Sequence, residues 1–313
     1  MKYNKILVTG GAGFIGSTVV DTLVEKYKCT IVVVDNLSTG KKKYVNNKTR
    51  FYQCDIKDQI ALGEVFSEEH PDLVIHMAAQ VMLRDSIVYP GYDASTNILG
   101  TINVLEMCRK HNVKKIIYTS TGGARYGFPE RLPVKETDLV KPTSPYGISK
   151  STAEHYIRVY NELYGIDYLI LCFGNVYGPR DNPATKRVTA IFSDKMLKNE
   201  RVQIYGDGDQ TRDFIYVKDL AGFIVSIIDK SPEHKLFNIA NGKQISVNAI
   251  FDILADIACV VKDPEYKDAI KGEIRDIVLD TTLAEKELGW KQTTSIVEGL
   301  KETYYWFRNN VNN

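Results

Sequence analysis

The chain has 313 residues, 44% hydrophobic and 25% charged, and its 40 lysines and arginines nearly balance 39 aspartates and glutamates for a formal net charge of +1. That length allows one large or two modest domains with a substantial core. The charge balance argues against a nucleic-acid partner; no apolar run nears the roughly 20 residues that cross a bilayer, and Met1-Lys2 leads into the first apolar run without a signal peptide, so no membrane partner and a cytoplasmic location are expected.

From residue 4 to about 173, short segments rich in Ile, Val and Leu alternate with helical ones. Strands are predicted at 4–9, 30–35, 50–54, 72–76, 114–120 and 166–173, and helices at 14–27, 58–69, 91–110 and 146–164. Such alternation needs right-handed crossovers. It predicts an α/β fold, a Rossmann-type doubly wound parallel sheet whose ligands bind at the carboxyl ends of the strands. After about 174 the pattern turns irregular, broken by Pro179 and Pro183. A helix near 187–198, short strands around 202–205 and 213–216, and helices at 217–229, 246–259, 281–288 and 295–309 follow. The expected division is a first domain over 1–173 and a smaller mixed α/β lobe over 174–313, from which some elements can return to the first domain. With no repeat and no low-complexity linker, the lobes are expected to pack together with a substrate between them.

The first turn carries the most specific signal. Thr9-Gly10-Gly11-Ala12-Gly13-Phe14-Ile15-Gly16-Ser17 joins the run Ile6-Leu7-Val8 to a helix. Glycines 10, 13 and 16 remove the Cβ atoms that would block a tight turn, a close approach of backbone to phosphate, and the packing of helix on strand. A diphosphate would then sit at the N-terminus of the helix that starts near Phe14. The second run, Thr30-Ile31-Val32-Val33-Val34, ends in Asp35, nineteen residues after Gly16. A carboxylate there accepts both hydroxyls of an adenosine ribose and repels a 2′-phosphate. NAD is therefore expected over NADP, and Lys41, Lys42 and Lys43 read as a solvated charge run.

Tyr146 and Lys150 are one helical turn apart in Ser144-Pro145-Tyr146-Gly147-Ile148-Ser149-Lys150. On a shared helix face the ammonium can lie beneath the phenol. A cation there, joined by the positive nicotinamide, favours phenolate and lowers the tyrosine pKa from about 10 toward working pH. The strand end Tyr118-Thr119-Ser120-Thr121 offers Thr121 or Ser120 to bridge a substrate hydroxyl and that phenolate. Five cysteines, at 29, 54, 108, 172 and 259, are odd in number and scattered. They read as core residues of a reducing compartment, and no metal site is expected.

On these motifs the chain resembles the extended short-chain dehydrogenase/reductase family of the nucleotide-sugar class, and within it the UDP-glucose 4-epimerases. The resemblance runs from the glycine-rich turn to Leu288-Gly289-Trp290. It implies an NAD-binding first domain that carries the catalytic residues and a second lobe that binds a nucleotide sugar, expected to be a UDP-hexose. By that resemblance Gly10, Gly13, Phe14, Ile15 and Gly16 bind cofactor, Asp35 and Asn36 hold the adenosine ribose, and Asp55 and Ile56 flank the adenine. Ala78, Ala79 and Gln80 line the nicotinamide side, Asn97 supports that region, and Phe173 contributes to it. Thr121, Tyr146 and Lys150 form the catalytic set with Ser120 beside them, and Tyr146 and Lys150 also touch the cofactor. Asn175 matches a contact to the diphosphate, and Arg212 an arginine that grips a substrate phosphate, a post that suits bidentate pairing. The helices 91–110 and 146–164, with Ile98, Ile102 and Leu105 as core positions, are implied to pair two copies into a homodimer.

Four positions depart from the family pattern. Ile270, in Ile270-Lys271-Gly272-Glu273, stands where an arginine is usual, leaving Lys271, Arg275 and Arg84 as candidates for the second phosphate clamp. Cys172 stands where a strand arginine is usual, and Arg125 replaces an apolar residue before Tyr126-Gly127. The residue that gates the sugar pocket falls on Ile277, a size that admits an N-acetyl group. Relatives that dehydrate the sugar place Asp-Glu directly after the threonine, and decarboxylating relatives place a glutamate in this loop. Here Gly122-Gly123 follow Thr121, so oxidation and re-reduction at one carbon is expected. The expected activity is an NAD-dependent 4-epimerase acting on UDP-glucose/UDP-galactose or the N-acetylated hexosamine pair. Its rivals are a UDP-hexuronate 4-epimerase, a nucleotide-sugar reductase, and a noncatalytic nucleotide-sensing regulator.

Overall fold

The computed structural model describes residues 2–270 and 272–310. It opens with strand β1 (Lys5–Thr9), helix α1 (Phe14–Lys26), β2 (Thr30–Asp35), β3 (Arg50–Gln53), α2 (Gln59–Glu69) and β4 (Leu73–His76). Two short helices, α3 (Leu83–Val88) and α4 (Pro90–Ala94), lead through a π-helical turn at Ser95–Leu99 into α5 (Gly100–Lys110). Then come β5 (Lys115–Thr121), α6 (Gly122–Tyr126), α7 (Pro145–Tyr164) and β6 (Asp167–Phe173). The later elements are β7 (Asn175–Tyr177), α8 (Val188–Leu197), β8 (Gln203–Tyr205), β9 (Thr211–Tyr216), α9 (Val217–Ser226) and β10 (Leu236–Ile239). They end with β11 (Gln244–Ser246), α10 (Val247–Ala258), β12 (Glu265–Lys267), α11 (Thr282–Leu288) and α12 (Ile296–Asn310).

Seven strands form one sheet in the order β10-β6-β5-β4-β1-β2-β3. β1 pairs in parallel with β2 on one side and β4 on the other, so chain order reverses there, with Thr9 aligned on Val34 and His76. This is the expected doubly wound Rossmann-type sheet. Its switch point lies beside β1, at the carboxyl ends that bind ligands in such sheets. Strands covered on both faces need apolar residues at every position, which is why β1, β2 and β4 read as unbroken apolar runs.

The chain forms two compact units. One comprises the residues up to Gly127 with Leu139–Cys172 and Ala221–Phe237; the other comprises Phe128–Asp138, Phe173–Leu220 and the residues from Asn238 onward. The first unit has its core in Leu7, Val34, Val74, Leu105, Ile116 and Ile157. The second has its own, with Phe192, Phe214, Ile250, Leu254 and Leu300, under a mixed sheet β11-β9-β7 and the parallel pair β12-β8. Within it Trp290 Nε1 donates to Ala240 O at 2.6 Å, which anchors the Leu288-Gly289-Trp290 motif. Among the described residues no helix is long and apolar enough to cross a membrane.

The differences from the predicted elements are local. Strand β10 is only four residues long and joins the sheet beside β6, more than sixty residues away in sequence, so no local periodicity announces it. Helix α6 forms over Gly122-Gly123, poor helix residues, because Thr121 caps it by accepting from Ala124 N at 3.4 Å. The predicted helix 91–110 is interrupted by the π turn, which changes the register of its faces. Of its three predicted core residues Leu105 is fully buried, whereas Ile98 and Ile102 are only partly covered. Cys54, Cys108 and Cys172 are buried as expected; Cys29 is half-buried and Cys259 is exposed.

Candidate active site

The glycine turn after β1 is closely packed. Gly10 takes φ +72, and a Cβ there would stand 2.7 Å from Ala78 N in the segment after β4. A Cβ on Gly16 would lie 2.1 Å from Gly10 O. Helix α1 starts at Phe14 with Gly13 as its cap and no side-chain hydrogen bond, so no capping side chain competes with an anion for that end of the helix. Asp35, at the end of β2, accepts Ala12 N at 2.9 Å and Leu37 N at 2.8 Å through different oxygens. Burial pushes its carboxyl up, opposed by those two N–H groups. Asn36 Nδ2 donates to Asp55 Oδ2 at 3.0 Å, which brings the two expected ribose and adenine residues together. Ile56 is buried, packed where a Cβ on Gly100 would be 2.7 Å from its Cδ1.

On the other side of the switch point, the π turn aims Asn97 at the segment after β4. Its Oδ1 accepts Gln80 N at 2.8 Å and its Nδ2 donates to Gln80 O at 3.0 Å, a two-way clasp of that backbone. Asn97 Nδ2 also reaches Asp93 Oδ1 at 3.1 Å and Ser149 Oγ at 3.3 Å, and Ser149 Oγ donates to Tyr146 O at 3.0 Å. Residues 78–80 are thus tied to the helix that carries Tyr146. That helix, α7, begins where the sequence says it should. Ser144 caps it by accepting Gly147 N at 3.2 Å, and Pro145 fills its first turn.

Lys150 is buried, and its ammonium lies 4.2 Å from the centroid of the Tyr118 ring. Burial lowers its pKa to about 8, opposed by Glu154, Cys172 and Asp93, so it remains charged at neutral pH. Burial raises the Tyr118 phenol well above its ordinary value, so Tyr118 serves as a neutral aromatic wall for that cation. Beside it His76 is fully buried between Thr9 Oγ1 at 2.7 Å and Thr101 Oγ1 at 3.0 Å. Burial, with Lys150 adding to it, lowers His76 to about 3 and keeps it neutral. Ser120 Oγ donates to Glu154 Oε1 at 2.5 Å, and Arg125 pairs with the other oxygen of Glu154. Tyr118, Glu154, His76, Asp93 and Ser149 went unassigned in the sequence. Only Glu154 left a signal there, at the same four-residue step from Lys150 that separates Lys150 from Tyr146.

In the second unit Arg212 Nη2 is 2.7 Å from Glu273 Oε1, and its Nη1 donates to Arg275 O at 3.0 Å. Arg275 pairs with Asp207 at 3.0 Å. Two of the expected phosphate-binding arginines are therefore neighbours in this unit, each held by a carboxylate. Asn175 is exposed on β7, in register with Phe214, two residues from Arg212 on β9. Phe173 and Ile277 are buried, and Ile270 is partly covered. Lys271 lies outside the described residues. Arg84 is exposed on α3 of the first unit.

Asp213 escaped the sequence reading although it adjoins Arg212. Its oxygens accept Asn241 N at 2.8 Å, Gly242 N at 3.1 Å and Leu279 N at 3.2 Å. Asp213→Ala should leave three N–H groups without their acceptor, that of Leu279 buried, and cost about 2 kcal/mol, read as a fall in Tm of roughly 5 °C. Burial pushes this carboxyl up to about 6 from 3.8. The folded state then holds the proton more tightly than the unfolded one. The group's contribution is fullest below the unfolded value and is lost as pH rises to about 6. Asp213→Asn should remove that dependence between those limits, and Tm measured across the interval checks it.

A sequence model described as the NAD dependent epimerase/dehydratase family matches residues 6–240. The chain belongs to that family. A putative UDP-glucose 4-epimerase of Methanocaldococcus jannaschii is 46% identical over 306 residues, spanning 97% of this chain and 99% of the relative. The solved UDP-glucose 4-epimerase of Thermotoga maritima with UDP-glucose superposes with TM-score 0.95 at 43% identity, over 98% of this chain and 99% of the other. That of Thermus thermophilus in complex with NAD gives 0.92 at 35%, over 98% and 99%. The cofactor of this epimerase/dehydratase family member is NAD, and its first unit fits one. The glycine turn admits no Cβ at 10 or 16, the start of α1 is uncapped by any side chain, and each oxygen of Asp35 retains a lone pair for a ribose hydroxyl.

Proposed function

We propose that the protein is a nucleotide-sugar 4-epimerase that interconverts UDP-glucose and UDP-galactose or the N-acetylated hexosamine pair. One observation carries the choice of reaction within the family. Directly after Thr121, α6 presents Gly122 and Gly123, and its ionisable residues, Arg125 and Tyr126, are buried, with Arg125 paired to Glu154. No side chain at that turn can move a proton at a second sugar carbon, as elimination of water would require.

NAD, held by the glycine turn, the start of α1 and Asp35, would supply the hydride acceptor and donor for the sugar C4. Tyr146 Oη removes the proton of the 4-hydroxyl and later restores it, Thr121 with Ser120 relays or orients that hydroxyl, and Lys150 holds the positive charge that favours phenolate. Arg212, Arg275, Asn175 and Arg84 bind the nucleotide diphosphate. A tight hold on the nucleotide with a loose one on the sugar lets the 4-keto sugar present its other face, which supports turnover better than hydrogen bonds to every hydroxyl. The size of Ile277 supports a sugar site open to an N-acetyl group.

The test is incubation with UDP-glucose, UDP-galactose and their N-acetylated and uronic acid counterparts, with C4 epimers resolved by chromatography. Equilibration within a glucose/galactose or N-acetylated pair at constant nicotinamide absorbance is expected. Failure to form any C4 epimer would sink the proposal, and net consumption of NAD(P)H would replace it with a reductase.

The active form proposed is a homodimer. Ile148, Tyr156, Val159 and Leu163 repeat at helical spacing on α7 and are exposed, Leu163 by 66%. A stripe of that kind on a helix otherwise bound to its sheet is suited to a second copy of itself. The double change Val159→Asp with Leu163→Asp should convert a dimer to a monomer in sedimentation, with NAD content retained. A variant that sediments unchanged would rule out this face.

A further inference from the structure

Two of the departures from the family pattern meet at one point. Cys172, where the family usually carries a strand arginine, is fully buried on β6, and the Arg125 guanidinium of α6 is close enough to interact electrostatically with it. Arg125 is itself 6% exposed, its guanidinium 5.3 Å from the Tyr126 ring centroid. Its Nη1 donates to Glu154 Oε2, while Oε1 of the same carboxylate takes the Ser120 hydroxyl. Its Nε is buried with no acceptor, so hydrogen bonding alone does not explain why a guanidinium is kept there.

We propose that Arg125 is a positioning residue that supplies from α6 the guanidinium that β6 lacks, and that through Glu154 it fixes the Ser120-Thr121 turn on α7 and sets the charge around Lys150. The clamp has symmetrical geometry. Arg125 lies four residues beyond Thr121, and Glu154 four beyond Lys150, so one carboxylate joins the two chain segments that bear the proposed catalytic groups. The groups that act on Lys150 come from every element packed around it: Glu154 on its own helix, Cys172 on β6, Asp93 on α4, Tyr118 on β5 and His76 on β4. Arg125 offsets the Glu154 carboxylate it pairs with, which leaves the charge of Lys150 to favour a phenolate. Burial works against the Arg125 charge, and the Glu154 carboxylate paired with it holds the guanidinium charged.

The inference rests on Tyr146 acting as acid and base. Arg125→Leu leaves Glu154 without its cation. If Glu154 stays charged, it opposes the phenolate directly; if it takes up a proton, Lys150 loses its strongest support and releases its own. Both routes raise the pKa of the phenol. Arg125→Leu should therefore lower kcat about tenfold, leave KM within about twofold, and move the acid limb of the pH profile up by about one unit. Adding Cys172→Arg should return the limb to its original pH. Should Arg125→Leu fail to fold, Arg125→Gln, which keeps a polar side chain and removes only the charge, should show the same displaced limb. A limb that stays in place while Tm falls would overturn the proposal, as would a displaced limb that Cys172→Arg leaves uncorrected. Tyr146→Phe, assayed alongside, separates the two claims, because an active Tyr146→Phe removes the acid/base reading, whereas an inactive one with an unmoved limb in Arg125→Leu removes only this inference.

Discussion

Tyr146→Phe is expected to lower turnover at least a hundredfold while the purified protein keeps its NAD. The factor follows from the step that is lost. Acid/base catalysis by a positioned side chain contributes about 10²–10⁴-fold, or about 3 kcal/mol and upward. Phenylalanine preserves the ring and deletes only the group that would move the proton. The start of the helix is held by bonds that phenylalanine keeps, since the main-chain N of Tyr146 donates to Ser86 Oγ at 3.1 Å and Ser144 caps the helix. NAD content read from the absorbance of the denatured protein, together with C4 epimer formation, checks both halves. Near-normal epimer formation would remove Tyr146 from its proposed role.

The environment of Lys150 makes this prediction physical rather than a matter of motif. A lysine on a solvated helix would add little to a neighbouring phenol, because water screens the charge. Lys150 is buried against the face of Tyr118, with Glu154 and Asp93 near enough to hold its charge against desolvation. The spacing of Tyr146 and Lys150 suggested an ammonium beneath the phenol of Tyr146. The feature this fold adds is the Tyr118 ring as the lysine's seat.

That contrast marks how far the sequence could be read. The glycine turn, the carboxylate after β2, the helix start at Ser144-Pro145 and the strands of the central sheet all rest on interactions within a few residues or on a single period of hydrophobicity, and each is legible one segment at a time. Strand β10, the clasp of Asn97 on Gln80 and the three N–H groups on Asp213 join segments far apart in sequence. No periodicity encodes which distant partner a polar side chain will meet. Arg125 and Cys172 show the same limit from the other direction. Each was visible as an anomaly alone, and only the pairing of α6 with α7 and β6 relates them. The π turn at Ser95–Leu99 belongs with these, because its sequence continues a helical pattern while its extra backbone residue redirects Asn97.

Gly16→Ala is expected to strip the protein of its cofactor more completely than any change at Asp35. An added Cβ would lie 2.1 Å from Gly10 O, 2.9 Å from Gly10 C and 3.0 Å from Gly11 Cα, all main-chain atoms with no rotamer in which to escape. Either the turn or the start of α1 must move by about an ångström, and the amide groups that converge on the diphosphate then no longer share one centre. Overpacking of this kind costs about 1–3 kcal/mol, so Tm should fall by roughly 5 °C with the fold retained, while bound NAD should drop below about a tenth of the wild-type content. The control is Gly91→Ala, where an added Cβ meets nothing within 4 Å. That variant should match the parent in both Tm and NAD content, because it adds the same methyl group to the same unit without touching the turn. If Gly16→Ala purified with its full complement of NAD, close packing of strand, turn and helix would not be what holds the diphosphate. The glycines would then be needed only for the shape of the chain.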